Sequence, residues 1–293
     1  MTRCCSKTKL RLVSQPGGAE GLLQAHLPER TIGLAWLGQA GFVFKHADFC
    51  CLIDPYLSDA LARKSAGTDF PHIRLMPPPV AAQAIGNVHL VLCSHRHGDH
   101  MDPDSLPIIA ANNPSCRFIV PKAEMDSALA IGLEASRLIP VNADDALSLS
   151  NSLSLHVIPA AHEVVRTNAA GEHHYLGFVL RTGRLAFYHA GDSVVYDGLA
   201  DRLRSEKVDV ALLPVNGRRP ELSSRGILGN MTFDEAVGLC AATSIQLMVP
   251  HHFGMFAFNT VDRKALESRA ASPDLPIRCI VPTTNVYYLL DGS

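Results

Sequence analysis

The segment SHRHGDHMD, residues 94–102, constrains this chain more than any other. Three histidines and an aspartate, His95, His97, Asp99 and His100, follow the apolar run VHLVLC. Such groups are costly to dehydrate, so a strand that ends in them needs a compensating partner. Three more polar clusters have the same placement: PAAHE with His162 after LSLHVI, HAGDS with His189 and Asp192 after LAFY, and PHHFG with His251 and His252 after IQLMV. Strand ends on one side of a sheet converge, and side chains there are rigidly held. Imidazole and carboxylate donors without cysteine suit Zn, Mn, Fe or Co. Alternate positions let His95 and His97 face one ion, and Asp99 and His100, past Gly98, a second. His162, Asp192 and His252 supply further ligands, with Asp192 as the candidate bridge between ions about 3.5–4 Å apart. Bound cations would offset the dehydration of the whole cluster.

The 293 residues are 47% hydrophobic and carry a formal net charge of -2, with no long Lys/Arg run. The electrostatic footprint of a nucleic-acid binder is missing. No apolar run reaches the roughly 18–20 residues that span a bilayer. MTRCCSKTKL lacks the apolar core of a secretory signal. The expectation is a cytoplasmic protein with neither membrane nor nucleic acid as partner. None of the eight cysteines forms CxxC, so most are expected to be reduced core thiols.

Residues 1–30 read as a peripheral lead-in, and residues 31–293 as one domain. TIGLAWLG, GFVFKH and FCCLID read as strands, and DSLPIIAANN and AEMDSALAIG have helical spacing. After a strand in LSLSNSLSLHVIPA, HYLGFVLR and RLAFYHA form a hairpin through TGR, and His173 and His174 stand at its start. VDVALLPV and IQLMVP are buried strands, and VVYDGLADRLRSE, MTFDEAVGLCAAT and VDRKALESRAA are helices. Thr232 with Glu235 makes a capping box. Strands early in each half, then strand–helix alternation, predict an α+β fold of two sheets with helices outside. Gly191 is expected in a tight turn that brings Asp192 to the site, and Gly98 in a similar one.

HxHxDH, a lone His, Asp in a GD turn and a late His form the ligand order of the metallo-β-lactamase superfamily. The chain resembles more narrowly its L-ascorbate-6-phosphate lactonase-like branch, through GLAWLGQAGFVFK, SHRHGDHMD, YHAGDS, VDVALLPV, RGILGNMT and VPHHFGMFAFN. The resemblance implies an αββα sandwich of two mixed sheets with the site at one edge. It also implies two divalent metal ions, Zn or Mn with Fe as an alternative. His95, His97 and His162 would hold one, Asp99, His100 and His252 the other, and Asp192 would bridge. The lactonase has Asp where this chain has His162, and a Lys near Asn230. Relatives favour His252 over His251 as the ligand, which leaves His251 as either an outer partner of the ligands or a substrate contact. Branch members assemble into oligomers, which leaves a homo-oligomer open.

His189 reads either as an orienting partner of Asp192 or as a buried hydrogen-bonded histidine. His174 is a candidate substrate contact, and Glu163 reads as a loop anion. NGRRPELSSRGILGNMT projects from the ligand edge and carries Arg218, Arg219 and Arg225. Arginine forks bind carboxylate or phosphate, and Arg225 is the favoured substrate contact. The expected function is hydrolysis, by a metal-bridging hydroxide, of a small anionic ester or lactone resembling a sugar-phosphate lactone. Asp99 would orient the nucleophile or carry the proton. The alternatives are a phosphodiesterase on a nucleotide or lipid headgroup, a non-catalytic metal-binding sensor and a di-iron redox enzyme; the last usually carries a flavin domain, for which this chain is short.

Overall fold

The structure, a computed structural model, describes residues 10–292. Cys4 and Cys5 lie outside the described residues.

Strand periodicity splits the first half into two layers. β1 (Leu10–Pro16), β2 (Thr31–Gly38), β3 (Gly41–His46), β4 (Phe49–Ile53), β5 (Leu90–Leu92), β6 (Arg117–Pro121) and β7 (Leu138–Val141) build one sheet. Leu34, Trp36, Phe42 and Phe44 face the space between the sheets. Their neighbours Ala35, Leu37 and Val43 face outward against α1 (Gly18–Gln24) and α3 (Ser105–Asn112). Both faces are covered, so these strands read as apolar runs rather than as alternation. Asp102 is fully buried and anchors the start of α3. It accepts from Leu57 N, Ser58 N and Ser58 Oγ of the loop after β4, and from Ser105 Oγ.

The second sheet holds β8 (Ala146–Ser150), β9 (Leu153–Pro159), β12 (Leu176–Thr182), β13 (Ala186–His189), β14 (Val210–Pro214), β15 (Leu247–His251) and β16 (Arg278–Cys279). A two-stranded ribbon of β10 (Ala161–His162) and β11 (Val164–Val165) stands apart from it. α5 (Leu199–Ser205) and α7 (Phe233–Thr243) cover the outer face. Phe44 meets Phe187 edge-on across the inter-sheet core, centroids 5.3 Å apart. β4 to β7 run parallel, as do β13 to β16. Their carboxyl ends carry the polar clusters to one edge of the sandwich.

The strands expected from pattern are present, with two refinements. LSLSNSLSLHVIPA is the β8–β9 hairpin rather than one strand, because residues 151–152 turn. β12 starts at Leu176, so His173 and His174 stand in the loop before it. The lead-in is not peripheral. β1 pairs antiparallel with β17 (Val286–Gly292), which in turn pairs with β2, while Ala19 and Leu22 of α1 are buried. β1 lacks the apolar pattern that would reveal it, since as an edge strand most of it meets solvent. Cys50, Cys51, Cys93, Cys116 and Cys240 are buried free thiols, as expected, and burial pushes Cys50 up to about 12.

The capping box on α7 forms as its sequence predicts, with Thr232 Oγ1 accepting from Glu235 N and Thr232 N donating to Glu235. Arg218 grips the same carboxylate at 2.8 and 2.5 Å. Arg218 leads the causes that, against partial burial, lower Glu235 to about 2. Glu235 is ionised in the fold below the pH at which it protonates in the unfolded chain. Its contribution is therefore complete above about 4.5 and is lost as pH falls toward about 2. Exposure discounts the gain to about 1 kcal/mol. We expect Glu235→Gln to lower stability by about that amount at pH 7, and its urea midpoint to converge with wild type as the pH is lowered through that window.

Candidate metal centre

Asp54, immediately after β4, organises the site. Its buried carboxylate accepts from Ser94 N at 2.7 Å, Ser94 Oγ at 2.6 Å and His100 Nδ1 at 2.7 Å. A carboxylate only accepts, so the Ser94 hydroxyl proton is committed to Asp54. Ser94 Oγ must then accept from His95 Nδ1, 3.0 Å away. Both Nδ1 atoms carry protons, so in the neutral form of either ring Nε2 holds the free lone pair. Those Nε2 atoms are buried without a partner, as is Asp192 Oδ1. Orphaned buried acceptors are what a cation site requires.

Ligand atoms gather in two groups, His95 with His97 and Asp192, and Asp99 with His100 and His252, each within 4.8 Å of one another. Asp192 lies between them, its Oδ1 3.4 Å from His100 Nε2 and its Oδ2 3.2 Å from His252 Nε2. His162 approaches from the side, its Nε2 3.7 Å from Asp192 Oδ2, but does not enter either compact group. Divalent ions fit this donor set, with three neutral imidazoles and two carboxylates held in the states that bind metal. Burial, joined by neighbouring histidines, drives His95 well below the usual imidazole range, lowers His97 and brings His162 to about 4. Burial opposes ionisation of Asp192, but His252 and His100 outweigh it and hold the carboxyl well below its ordinary value. His100 moves the other way: burial is outweighed by Asp192, Asp54 and Asp99, which raise it. The carboxylate charge that raises His100 is the charge a cation at this place would offset.

Backbone conformation presents these groups. Gly191 adopts φ +59, and a Cβ there would lie 2.8 Å from Leu176 O and Ser94 Cβ, so the GD turn needs glycine. Gly98 has no positive φ; its role is a close approach, with the Leu61 side chain occupying the space a Cβ would need. His252 and Gln39 both take left-handed φ, 59 and 49. Such strain in residues with a Cβ concentrates at functional sites. Gln39 O accepts from Trp36 Nε1 and His252 N, while its Nε2 donates to Asp99 Oδ2 at 2.8 Å and lies 3.1 Å from His252 Nε2.

Gln39 and Asp54 escape the sequence reading. Asp54 carried a signal, since FCCLID ends an apolar strand in a carboxylate as the other clusters do. Gln39, a neutral residue in a hairpin, carried none.

His189 is buried and supports the turn rather than the carboxylate: Nε2 donates to Ala40 O and Nδ1 accepts from Gly191 N. His251 is not the expected substrate contact. It is fully buried, stacked on His189 with rings 4.9 Å apart, and separated from the cleft. His174 lies outside the cleft lining and donates to Glu124 at 2.6 Å. Arg225 is not aimed at the site either; it pairs with Asp69 and lies over Phe70. Arg219 bonds Phe258 O, and Arg218 is bound to Glu235. The loop arginines brace their own segment. Glu163 helps, accepting from Ser223 Oγ and Gly229 N.

The cleft above the ligands encloses about 670 Å³. His97, Asp99, His162, Asp192 and His252 form its floor, and Leu61, Phe70, Ile227, Leu228 and Phe256 give it apolar walls. Among the described residues no helix is long and apolar enough to cross a membrane.

A family model described as Beta-lactamase superfamily domain matches residues 51–253. A metal-dependent hydrolase of Caldivirga maquilingensis is 25% identical over 260 residues, 89% of this chain and 96% of that protein. A probable L-ascorbate-6-phosphate lactonase of Escherichia fergusonii is 26% identical over 202 residues, 64% of this chain and 55% of that protein. Among solved structures, the isothiocyanate hydrolase from Delia radicum gut bacteria shares the fold at 17% identity and TM-score 0.68, over 87% of this chain and 98% of that one. The family match extends from β4 to the residue after His252 and so takes in Asp54 and both ligand groups: the chain belongs to the metallo-β-lactamase superfamily.

Proposed function

We propose that the protein is a metal-dependent hydrolase of a small ester or lactone. In this reading His95, His97 and His162 would hold one divalent ion, Asp99, His100 and His252 would hold another, and Asp192 stands between the two groups. The observation that carries it is His95 Nε2, His100 Nε2 and Asp192 Oδ1, buried without hydrogen-bond partners and gathered beside the cleft floor. Divalent ions held there supply Lewis acidity and lower the pKa of water.

The chain's own residues do the rest. Asp99, ionised because His100 and His252 outweigh its burial, faces the cleft and orients a water by accepting its proton. Gln39 Nε2 fixes one Asp99 oxygen and leaves the other to that task. Ile227, Leu228 and Phe256 exclude bulk water, which strengthens every charge interaction inside. Apolar walls suit an acyl group. All three loop arginines are internally bonded, so none of them is offered to a phosphodiester. The relatives' names, a metal-dependent hydrolase and a probable lactonase, support the same reading.

Elemental analysis of protein purified without chelator, then assays of ester, lactone and phosphodiester panels after Zn or Mn loading, test it. Two equivalents of metal with ester or lactone turnover is the expected outcome; turnover of phosphodiesters alone would replace it with the phosphodiesterase alternative. We expect Asp192→Ala to reduce metal content and to lower kcat/KM by more than about a hundredfold, beyond the range seen on losing outer partners of a metal site. Asp54→Asn puts an amide donor where His100 Nδ1 and Ser94 Oγ need an acceptor. Calorimetric titration of the metal-free variant should show affinity weakened about tenfold to a hundredfold; unchanged affinity would show that Asp54 does not set the ligand orientation.

A further inference from the structure

Arg96 stands between two ligand histidines and is not consumed by the fold as the loop arginines are. It lines the cleft, its side chain is 63% exposed, and its Nε lies 3.7 Å from Glu124 Oε2. Glu124 has only 4% of its side chain exposed. It accepts from His174 Nδ1 at 2.6 Å on Oε1 and from Ser127 Oγ at 3.0 Å on Oε2. A buried carboxylate needs compensation: His174 and Ser127 donate to it, and Arg96 is the permanent cation in ionic contact with it. This ionic contact uses the Nε edge of the guanidinium. Its Nη groups have no acceptor among the described residues.

Two positions are therefore fixed relative to each other. The metal-ligand cluster places His95 and His97, and the charge of the buried Glu124 draws the arginine between them to one side. A guanidinium anchored through one edge presents the other as a fork that matches the two oxygens of a carboxylate or phosphate monoester. Lys64 lines the same cleft but is exposed and has no carboxylate partner among the described residues, so it adds charge without a fixed direction.

We infer that Arg96 selects substrates bearing an oxyanion group beside the scissile carbonyl, and that Glu124 is the positioning residue that aims it. This rests on the hydrolase reading above and assigns the anion recognition that the loop arginines do not supply.

Mono-4-nitrophenyl succinate and 4-nitrophenyl butyrate are esters of similar length that differ in a terminal carboxylate. With the metal-loaded enzyme, we expect Arg96→Ala to lower the ratio of kcat/KM for the succinate to that for the butyrate by about tenfold, the size of one charge-assisted contact. The loss should fall on KM rather than kcat, and Arg96→Lys should restore part of it. Glu124→Gln keeps its oxygen for His174 Nδ1, turns its amide toward Ser127 Oγ, which can accept, and removes the charge facing Arg96. It should raise KM for the succinate about threefold and move the same ratio in the same direction. Acetate and inorganic phosphate, compared as competitors of wild type and Arg96→Ala, separate the two oxyanions: whichever loses potency is the group Arg96 holds. An unchanged ratio in Arg96→Ala, with wild type active on both esters, overturns the assignment and leaves the hydrolase reading intact. Loss of bound metal in Arg96→Ala also overturns it, since Arg96 would then be holding the ligand loop. A metal-loaded wild type that hydrolyses neither ester overturns the ester reading, and the inference with it.

Discussion

Everything at the site hangs on a buried carboxylate that is not itself a candidate ligand. Asp54 takes three donors from residues 94–100, and the direction of those hydrogen bonds propagates outward. Because Asp54 can only accept, Ser94 must donate to it, and His95 must donate to Ser94. The Nδ1 protons of two imidazoles are thereby directed by one serine–carboxylate pair. The arrangement is costly unless a cation balances it, which couples folding of this edge to metal binding.

The same economy of charge governs the loop above the cleft. Arg218, Arg219 and Arg225 each have an acceptor supplied by the fold, and Glu163 ties the loop to the ribbon that carries His162. An irregular segment between β14 and α7 has few backbone ladders of its own, so side chains supply its bracing. The walls Ile227 and Leu228 are held where they can dry the site. Arg96, which lines the cleft, meets Glu124 through Nε, and its outer edge has no acceptor among the described residues.

The two-sheet architecture was legible because sheets covered on both faces give apolar runs, and the runs in GFVFKH and VDVALLPV coincide with β3 and β14 almost residue for residue. β1 and α1 were not legible. Their place beside β17 depends on pairing the two ends of the chain, which local periodicity does not encode. His251 illustrates a different gap. Adjacent residues at a strand end are chemically alike in sequence, and only the backbone turn at His252, with its left-handed φ, sends one ring to the cleft and leaves its neighbour stacked in the core.

The sequence by itself determined the donor chemistry of this protein: which histidines and aspartates stand at strand ends, and so which can meet. That information is local, carried by composition and spacing over a few residues. Tertiary structure alone decided which ring nitrogens are bare and which arginines are open. Those outcomes depend on hydrogen-bond partners 40 residues away for Ser94 and 46 for His100, and on Asp69 lying 156 residues from Arg225. A side chain's charge is written in its identity, whereas its availability is set by whatever the fold places against it.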